Sequence, residues 1–211
     1  MNIGWAKLIV HHLVSHGVRR FCLSPGSRSS PLAYAIAEED RASSFVHFDE
    51  RGMAFHALGY AKATKEAVAI VCTSGSAVAN LFPAVAEASA AGIPLIVLTA
   101  DRPPELTDCG SNQTCNQMNF FGNYVRWHCD MPCPDNHIAD SYVGSTITHA
   151  LYRATHSPRG PVHINCRFRE PLFEGNSLTP QPSTHYATSH SSLSTATLER
   201  FGKYLLRQSR G

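Results

Sequence analysis

The sequence is short of charge: only 16% of its 211 residues are Asp, Glu, Lys or Arg, and the formal net charge is +2. Arg200, Lys203, Arg207 and Arg210 against Glu199 place +3 of that beyond Ser177, so the body Met1–Asn176 is about −1. A body that close to neutral lacks the basic footprint of nucleic-acid binding. No long hydrophobic run occurs either. The most apolar stretch, Ile93 to Thr99, is far too short to cross a bilayer. Met1–Leu13 has no basic region followed by a small-residue cleavage site, so no signal peptide is expected. There is no CxxC pair among the seven cysteines, an odd number scattered from Cys22 to Cys166. That count and scatter point to a reducing, cytoplasmic setting rather than a disulfide scaffold. GxxxxGK[ST], GxGxxG and GxSxG are all missing, which removes the best warrant for a P-loop, a dinucleotide-binding or a serine-hydrolase site. Of the 12 histidines, His128 and His137 stand near Cys129 and Cys133, but that CxxxC spacing has no second pair and fits structural zinc poorly. No metal site is expected in this chain.

What is present is a soluble composition, 43% hydrophobic, long enough for one substantial core. Trp5, Leu8, Ile9, His12 and Leu13 form one stripe of an amphipathic helix ending near Gly17. Strands are expected at Arg20–Leu23, Ser44–Phe48, Val68–Cys72, Pro94–Leu98, Tyr124–Cys129 and Val162–Cys166. Between them the pattern predicts helices from Pro31 to Glu39 (with Ser30 as N-cap), from Arg51 to Ala63, from the Thr73–Ser76 loop to about Ala90, and from Ile138 to His156. Strand, loop and helix in alternation predict an α/β domain, a parallel sheet of about six strands with helices on both faces. From Ser177 to Thr197, Ser and Thr supply 11 of 21 residues, which reads as a linker. The expected organisation is therefore a domain over 1–176, a linker over 177–197, and over 198–211 the start of a further domain.

Polar residues cluster after each strand: Ser27 and Arg28, Asp49 and Glu50, Ser74 and Ser76, Asp101 and Arg102. In such folds these exits share one sheet edge, where ligands bind. First-turn acids also stabilise a helix start, and that accounts for one of the pair Asp49-Glu50 more easily than for both. An arginine at such a turn can grip a carboxylate with its planar fork, so Arg28 and Arg102 together point to an acidic substrate; two solvated arginines are the plain alternative. Backbone N–H groups of Ser74-Gly75-Ser76 before a helix offer a weak anion-binding signal.

SPGSRSSPL, HFDERG, ALGYAKAT, TSGSAVANLFPAV and LTADRPPELTDCGSNQT occur in that order between Ser24 and Thr114. Together they resemble the pyrimidine-binding domain of thiamine-diphosphate enzymes. Within that group they are similar to the 2-succinyl-5-enolpyruvyl-6-hydroxy-3-cyclohexene-1-carboxylate synthases of menaquinone or phylloquinone synthesis, over about Trp5 to Phe173. The resemblance implies an enzyme that decarboxylates 2-oxoglutarate and adds the succinyl unit to isochorismate. It implies Glu50 as the catalytic carboxylate that hydrogen-bonds N1′ of the aminopyrimidine, with Ser74, Gly75 and Asn80 beside the cofactor ring. Ser27, Arg28, Arg102 and Gln113 match the isochorismate-side contacts. In the family a later domain with a GDG…N-type motif holds the diphosphate and Mg²⁺ or Mn²⁺, and the site lies between subunits of a homodimer or homotetramer. No such motif occurs here, so the expectation is half a site, inactive alone. Two alternatives stand beside this. One is another thiamine-diphosphate carboligase, for which FDERG and TSGSA depart from the usual HE…GY and TSGPG. The other is a non-catalytic module binding an acidic ligand or a partner.

Overall fold

The structure, a computed structural model, describes residues 1–173. The linker expected at 177–197 and the segment 198–211 lie outside the described residues. Six strands form one all-parallel sheet: β1 (Arg20–Leu23), β2 (Ser43–Val46), β3 (Val68–Cys72), β4 (Leu95–Asp101), β5 (His128–Met131) and β6 (Val162–Arg167). Their order across the sheet is β2-β1-β3-β4-β6-β5. The pairing keeps Phe21 beside Ala69, Ala69 beside Ile96, and Leu98 beside Ile164. β3, β4 and β6 are buried along their whole length because helices cover both faces, as a parallel sheet requires.

On one face α1 (Asn2–Ser15), α2 (Ser30–Ala37) and α6 (Asp140–Thr155) cover a core that includes Trp5, Leu13, Phe21, Leu32, Leu98 and Ile147. α1 is buried nearly all round, beyond the single stripe expected, because it is packed against both α2 and α6. On the other face α3 (Glu50–Thr64), α4 (Ser76–Asn80) and α5 (Phe82–Ala91) enclose Met53, Ala57, Ile70, Leu81, Val85 and Val97. The alanine-rich face of α3 lets its backbone approach the sheet, and α5, also alanine-rich, packs against α3.

Several boundaries differ from expectation, each for a local reason. The helix after β3 is two helices meeting at Leu81, where Pro83 opens the second one. Ser29, rather than Ser30, stands at the cap position of α2, and the Ser30 hydroxyl donates to the Ser27 carbonyl instead. β2 ends at Val46, and Phe48 lies beyond it, 90% exposed. The strand placed at Tyr124–Cys129 is His128–Met131; Gly122–Tyr124 forms a 3₁₀ turn, and Phe121 fills the core in its place. β4 runs three residues past Leu98 because Thr99, Ala100 and Asp101 pair with Asn165, Cys166 and Arg167 of β6. Polarity had marked those residues as loop.

None of the seven cysteines forms a disulfide. Cys22, Cys72 and Cys166 sit in strands as small hydrophobes, and burial pushes each thiol up, Cys22 to about 11. Among the described residues no helix is long and apolar enough to cross a membrane.

Candidate functional site

The chain leaves β1 in one direction to form β2, then returns to lay β3 on the other flank of β1. At such a switch point the helices that follow β1 and β3 lie on opposite faces of the sheet, the place at the carboxyl edge where folds of this kind bind ligands. The order β4-β6-β5 creates a second switch between β4 and β6. Every strand exit named from the sequence lies on this edge. The loops after β1 and β3 are in close contact: a β-carbon built on Gly26 would stand 2.3 Å from Thr73 Cβ, so only glycine fits there.

Asp49 and Glu50 follow β2 and have separate roles. Asp49 caps α3, its Oδ1 accepting the Gly52 N–H at 2.6 Å, a contact worth about 1 kcal/mol. Glu50 opens the helix, and its Oε2 accepts a hydrogen bond from Asn80 Nδ2 at 3.1 Å. Its charge reaches the end of β3, adding to the burial that raises the Cys72 thiol. A half-buried carboxylate with an amide partner, at a ligand-binding edge, is suited to accept a proton-bearing heteroaromatic nitrogen. Such a carboxyl donates to a neutral ring nitrogen when protonated and accepts from a protonated one when ionised, which is the chemistry an aminopyrimidine would call for.

Ser74 is the hub of the second cluster. Its hydroxyl accepts from Arg102 Nη1 at 2.5 Å and donates to the Gln113 carbonyl at 3.0 Å, while Gln113 Nε2 donates to the Ser74 carbonyl at 3.1 Å. Gly75 adopts φ +79, and a β-carbon there would meet the Gln113 carbonyl oxygen at 2.9 Å, so the close approach of these loops also requires glycine. Burial lowers the Arg102 pKa and the nearby Arg28 charge lowers it further, which places two guanidinium groups within electrostatic reach of each other. Arg28 itself is 5% exposed. Its Nη1 donates to the Phe168 carbonyl at 2.9 Å and its Nη2 to Glu170 Oε1 at 2.7 Å. Ser27, next to it, is exposed and uses its carbonyl to hold the start of α2. Arg169 also grips Glu105 through two contacts, holding that carboxyl down at about 2 and tying the segment after β6 to the turn after β4.

The residues expected at the site thus fall into two groups, Glu50 with Asn80, and Arg102 with Ser74, Gly75 and Gln113, while Arg28 is directed at the exit of β6. The anion-binding reading of the Ser74–Ser76 loop does not hold for Gly75, whose N–H is already bonded to Gln117 Oε1 at 2.9 Å. Sequence reasoning missed Gln117 and the buried polar layer behind it. Asn165, Asp101, Thr99, Asp130 and Arg167 bond one another there at 2.6–3.0 Å, with Arg167 3.6 Å from Asp101. The alternation Val162-His163-Ile164-Asn165-Cys166-Arg167 carried the signal: a strand between two others should not place polar residues at every second position without a purpose. Burial raises the Asp101 pKa against the lowering effect of Asn165, the Arg102 N–H and Arg167.

A cavity of about 310 Å³ opens elsewhere, lined by His16, Val18, Glu66, Tyr152 and His156 among others. It lies where the chain enters β1 and β3, at the edge opposite the convergent polar groups.

These features define a parallel α/β domain whose candidate site lies at the strand exits, with a carboxylate on one side and a guanidinium on the other. Residues 4–120 match the family model described as thiamine pyrophosphate enzyme, N-terminal TPP binding domain, and the chain belongs to that family. It is also similar to curated proteins named 2-succinyl-5-enolpyruvyl-6-hydroxy-3-cyclohexene-1-carboxylate synthase. The relative from Salinibacter ruber is 48% identical over 198 residues, 87% of this chain and 34% of that protein. That from Rubrobacter xylanophilus is 51% identical over 179 residues, 85% and 30% respectively. That from Pelodictyon phaeoclathratiforme is 50% identical over 172 residues, 82% and 29%. The chain thus spans about a third of the length of these relatives.

Proposed function

We propose that this chain is the pyrimidine-binding part of a thiamine-diphosphate-dependent transferase that decarboxylates 2-oxoglutarate and adds the succinyl unit to isochorismate, in menaquinone or phylloquinone biosynthesis in the cytoplasm. The observation that carries the reading is the pairing of Glu50 with Asn80 on one side of Ser74-Gly75 and of Ser74 with both Arg102 and Gln113 on the other. The identity to synthases of that name supports the choice of substrates.

In this reading Glu50 holds a proton-sharing hydrogen bond to N1′ of the aminopyrimidine, and Asn80 keeps the carboxylate turned toward it. Ser74 and Gly75 shape the wall beside the ring. Arg102 offers its guanidinium to a carboxylate of isochorismate, with Ser27 and Gln113 adding polar contacts, while Arg28, the substrate contact implied by the resemblance, has its fork held by the Phe168 carbonyl and Glu170 and contributes positive charge nearby. Bound thiamine diphosphate supplies the electron sink for loss of carbon dioxide. Its diphosphate, with Mg²⁺ or Mn²⁺, is held by protein outside this chain. Among the described residues, no group of three or more His, Cys, Asp or Glu side chains is arranged to take a metal.

Glu50 works best where water is excluded, since its hydrogen bond gains strength in a low dielectric. Here it is only half buried, flanked by Phe48 at 90% exposure and Val46 at 60%. Covering that apolar rim with a second subunit of a homodimer or homotetramer would dry the site. The test is to compare the purified 211-residue protein with the complete polypeptide, each given thiamine diphosphate, Mg²⁺, 2-oxoglutarate and isochorismate. Turnover is expected only from the complete form. Turnover by the 211-residue protein would refute the shared site, and none by the complete form would refute the substrate assignment.

A further inference from the structure

Gln117 has no place in the two polar groups described above, yet it lies behind the junction between them. It is 1% exposed, so it touches no ligand, and all three hydrogen-bonding positions of its carboxamide that the structure uses go to fixed partners. Oε1 accepts the Gly75 N–H at 2.9 Å, and Nε2 donates to the Ala100 carbonyl at 3.2 Å and to Asn165 Oδ1 at 2.8 Å. The orientation of the amide follows from chemistry. A backbone N–H only donates and a carbonyl only accepts, so a flipped amide would set donor against donor and acceptor against acceptor.

From Asn165 the connection continues. Its Nδ2 donates to Asp101 Oδ2 at 2.8 Å and to Asp130 Oδ1 at 2.6 Å, and Asp101 Oδ1 accepts the Arg102 N–H at 2.7 Å. Arg102 Nη1 then returns to Ser74 Oγ, one residue from Gly75. The result is a closed circuit through Gly75, Gln117, Asn165, Asp101, Arg102 and Ser74. It joins the backbone that starts α4, which carries Asn80, to the backbone that carries Arg102. A neutral amide is required at position 117. A carboxylate would oppose two carbonyl oxygens beside Asp101 and Asp130, and an apolar side chain would leave buried groups unpaired.

We propose that Gln117 is a positioning residue that pins the Ser74–Gly75 junction to β6 and so sets the Glu50–Asn80 and Arg102–Gln113 groups relative to one another. The functional half of this inference rests on the synthase reading; the structural half does not. In the 211-residue protein, Gln117→Met is expected to raise amide hydrogen exchange at Gly75 about tenfold, the scale of one lost buried hydrogen bond, while Val71 and Leu98 in the neighbouring strands change far less. Unchanged exchange at Gly75, or equal acceleration everywhere, overturns the proposal. In the complete polypeptide the same substitution should slow cofactor C2-proton exchange and raise KM for isochorismate together, whereas Arg102→Ala should move mainly the latter. A loss confined to one of the two, or a loss of active protein with both parameters intact, also overturns it. Gln117→Glu serves where the methionine variant does not fold. Its carboxyl, beside Asp101, Asp130 and Arg167, should regain a donor on protonation, so protection at Gly75, corrected for intrinsic exchange, should recover as pH falls. A wild-type pH profile in that variant refutes the assignment. If the wild-type complete polypeptide shows no synthase turnover, the substrate reading fails while the Gly75 result stands by itself.

Discussion

Gly26→Ala probes the closest contact in the site, that between the loops after β1 and β3. The new methyl would lie 2.3 Å from Thr73 Cβ, 2.5 Å from Cγ2 and 2.7 Å from Oγ1. Carbon atoms in contact prefer about 3.5–4.0 Å, so the loops would have to part by roughly 1.2–1.7 Å. Neither side yields easily. Thr73 is β-branched and buried, between Cys72 in the sheet and Ser74 in its bonded cluster. On the other side, the Ser24 N–H is bonded to the Val71 carbonyl and its hydroxyl to the His47 carbonyl. Overpacking of this kind costs about 1–3 kcal/mol. With a urea m-value of about 2 kcal/mol per molar, the unfolding midpoint should fall by roughly 0.5–1.5 M. Thr73→Gly removes all three clashing atoms. In that background Gly26→Ala should cost less than about 0.5 kcal/mol, a coupling that a double-mutant cycle in urea measures directly. An unchanged midpoint in the single variant, or simple additivity in the double one, would refute the steric reasoning.

Glu50→Gln in the complete polypeptide should slow C2-proton exchange of bound cofactor by about 10²-fold or more, read by proton NMR; unchanged exchange would remove Glu50 from that role. Arg102→Ala should weaken isochorismate use more than cofactor binding, and equal losses would point to damage to the fold. His163 adds a pH dependence. Burial, and then the charge of His128, hold its pKa down at about 3, against about 6.5 in an unfolded chain. The unfolded state therefore takes up the extra proton first, and the stability present above pH 6.5 is lost progressively as pH falls toward 3. Between pH 6.5 and 5 this group alone should remove about 2 kcal/mol. His163→Gln keeps an N–H for Thr99 and abolishes that titration. Wild type and variant losing equal stability over this range, by urea unfolding, would contradict the assignment.

Glu50 stood out in the sequence as a candidate site residue because two independent signals met at it: the end of an apolar run and the start of a helical pattern, with one more acid than a helix cap needs. That one of the two acids serves the helix start was legible for the same reason, and the structure gives that role to Asp49 by its bonds. Arg28 was less so. Its position in a turn marked it as available, but it is buried against Phe168 and Glu170, about 140 residues away in sequence. The β5 boundary was misread because Tyr124–Trp127 has strand composition but only the pairing with β6 decides which residues join the sheet.

By itself the sequence determined the α/β alternation, the parallel character of the sheet and the family, because periodicity, strand-exit polarity and short motifs are local properties of the chain. It also marked candidate site residues at the strand exits. Only the tertiary structure decided the strand order β2-β1-β3-β4-β6-β5, which places the switch points, and the partners of the buried polar side chains. Gln117 and Asn165 are 48 residues apart, and nothing local to either one names the other. Their pairing exists because desolvated amides must find partners wherever the fold brings them, and that choice is made by packing rather than by pattern.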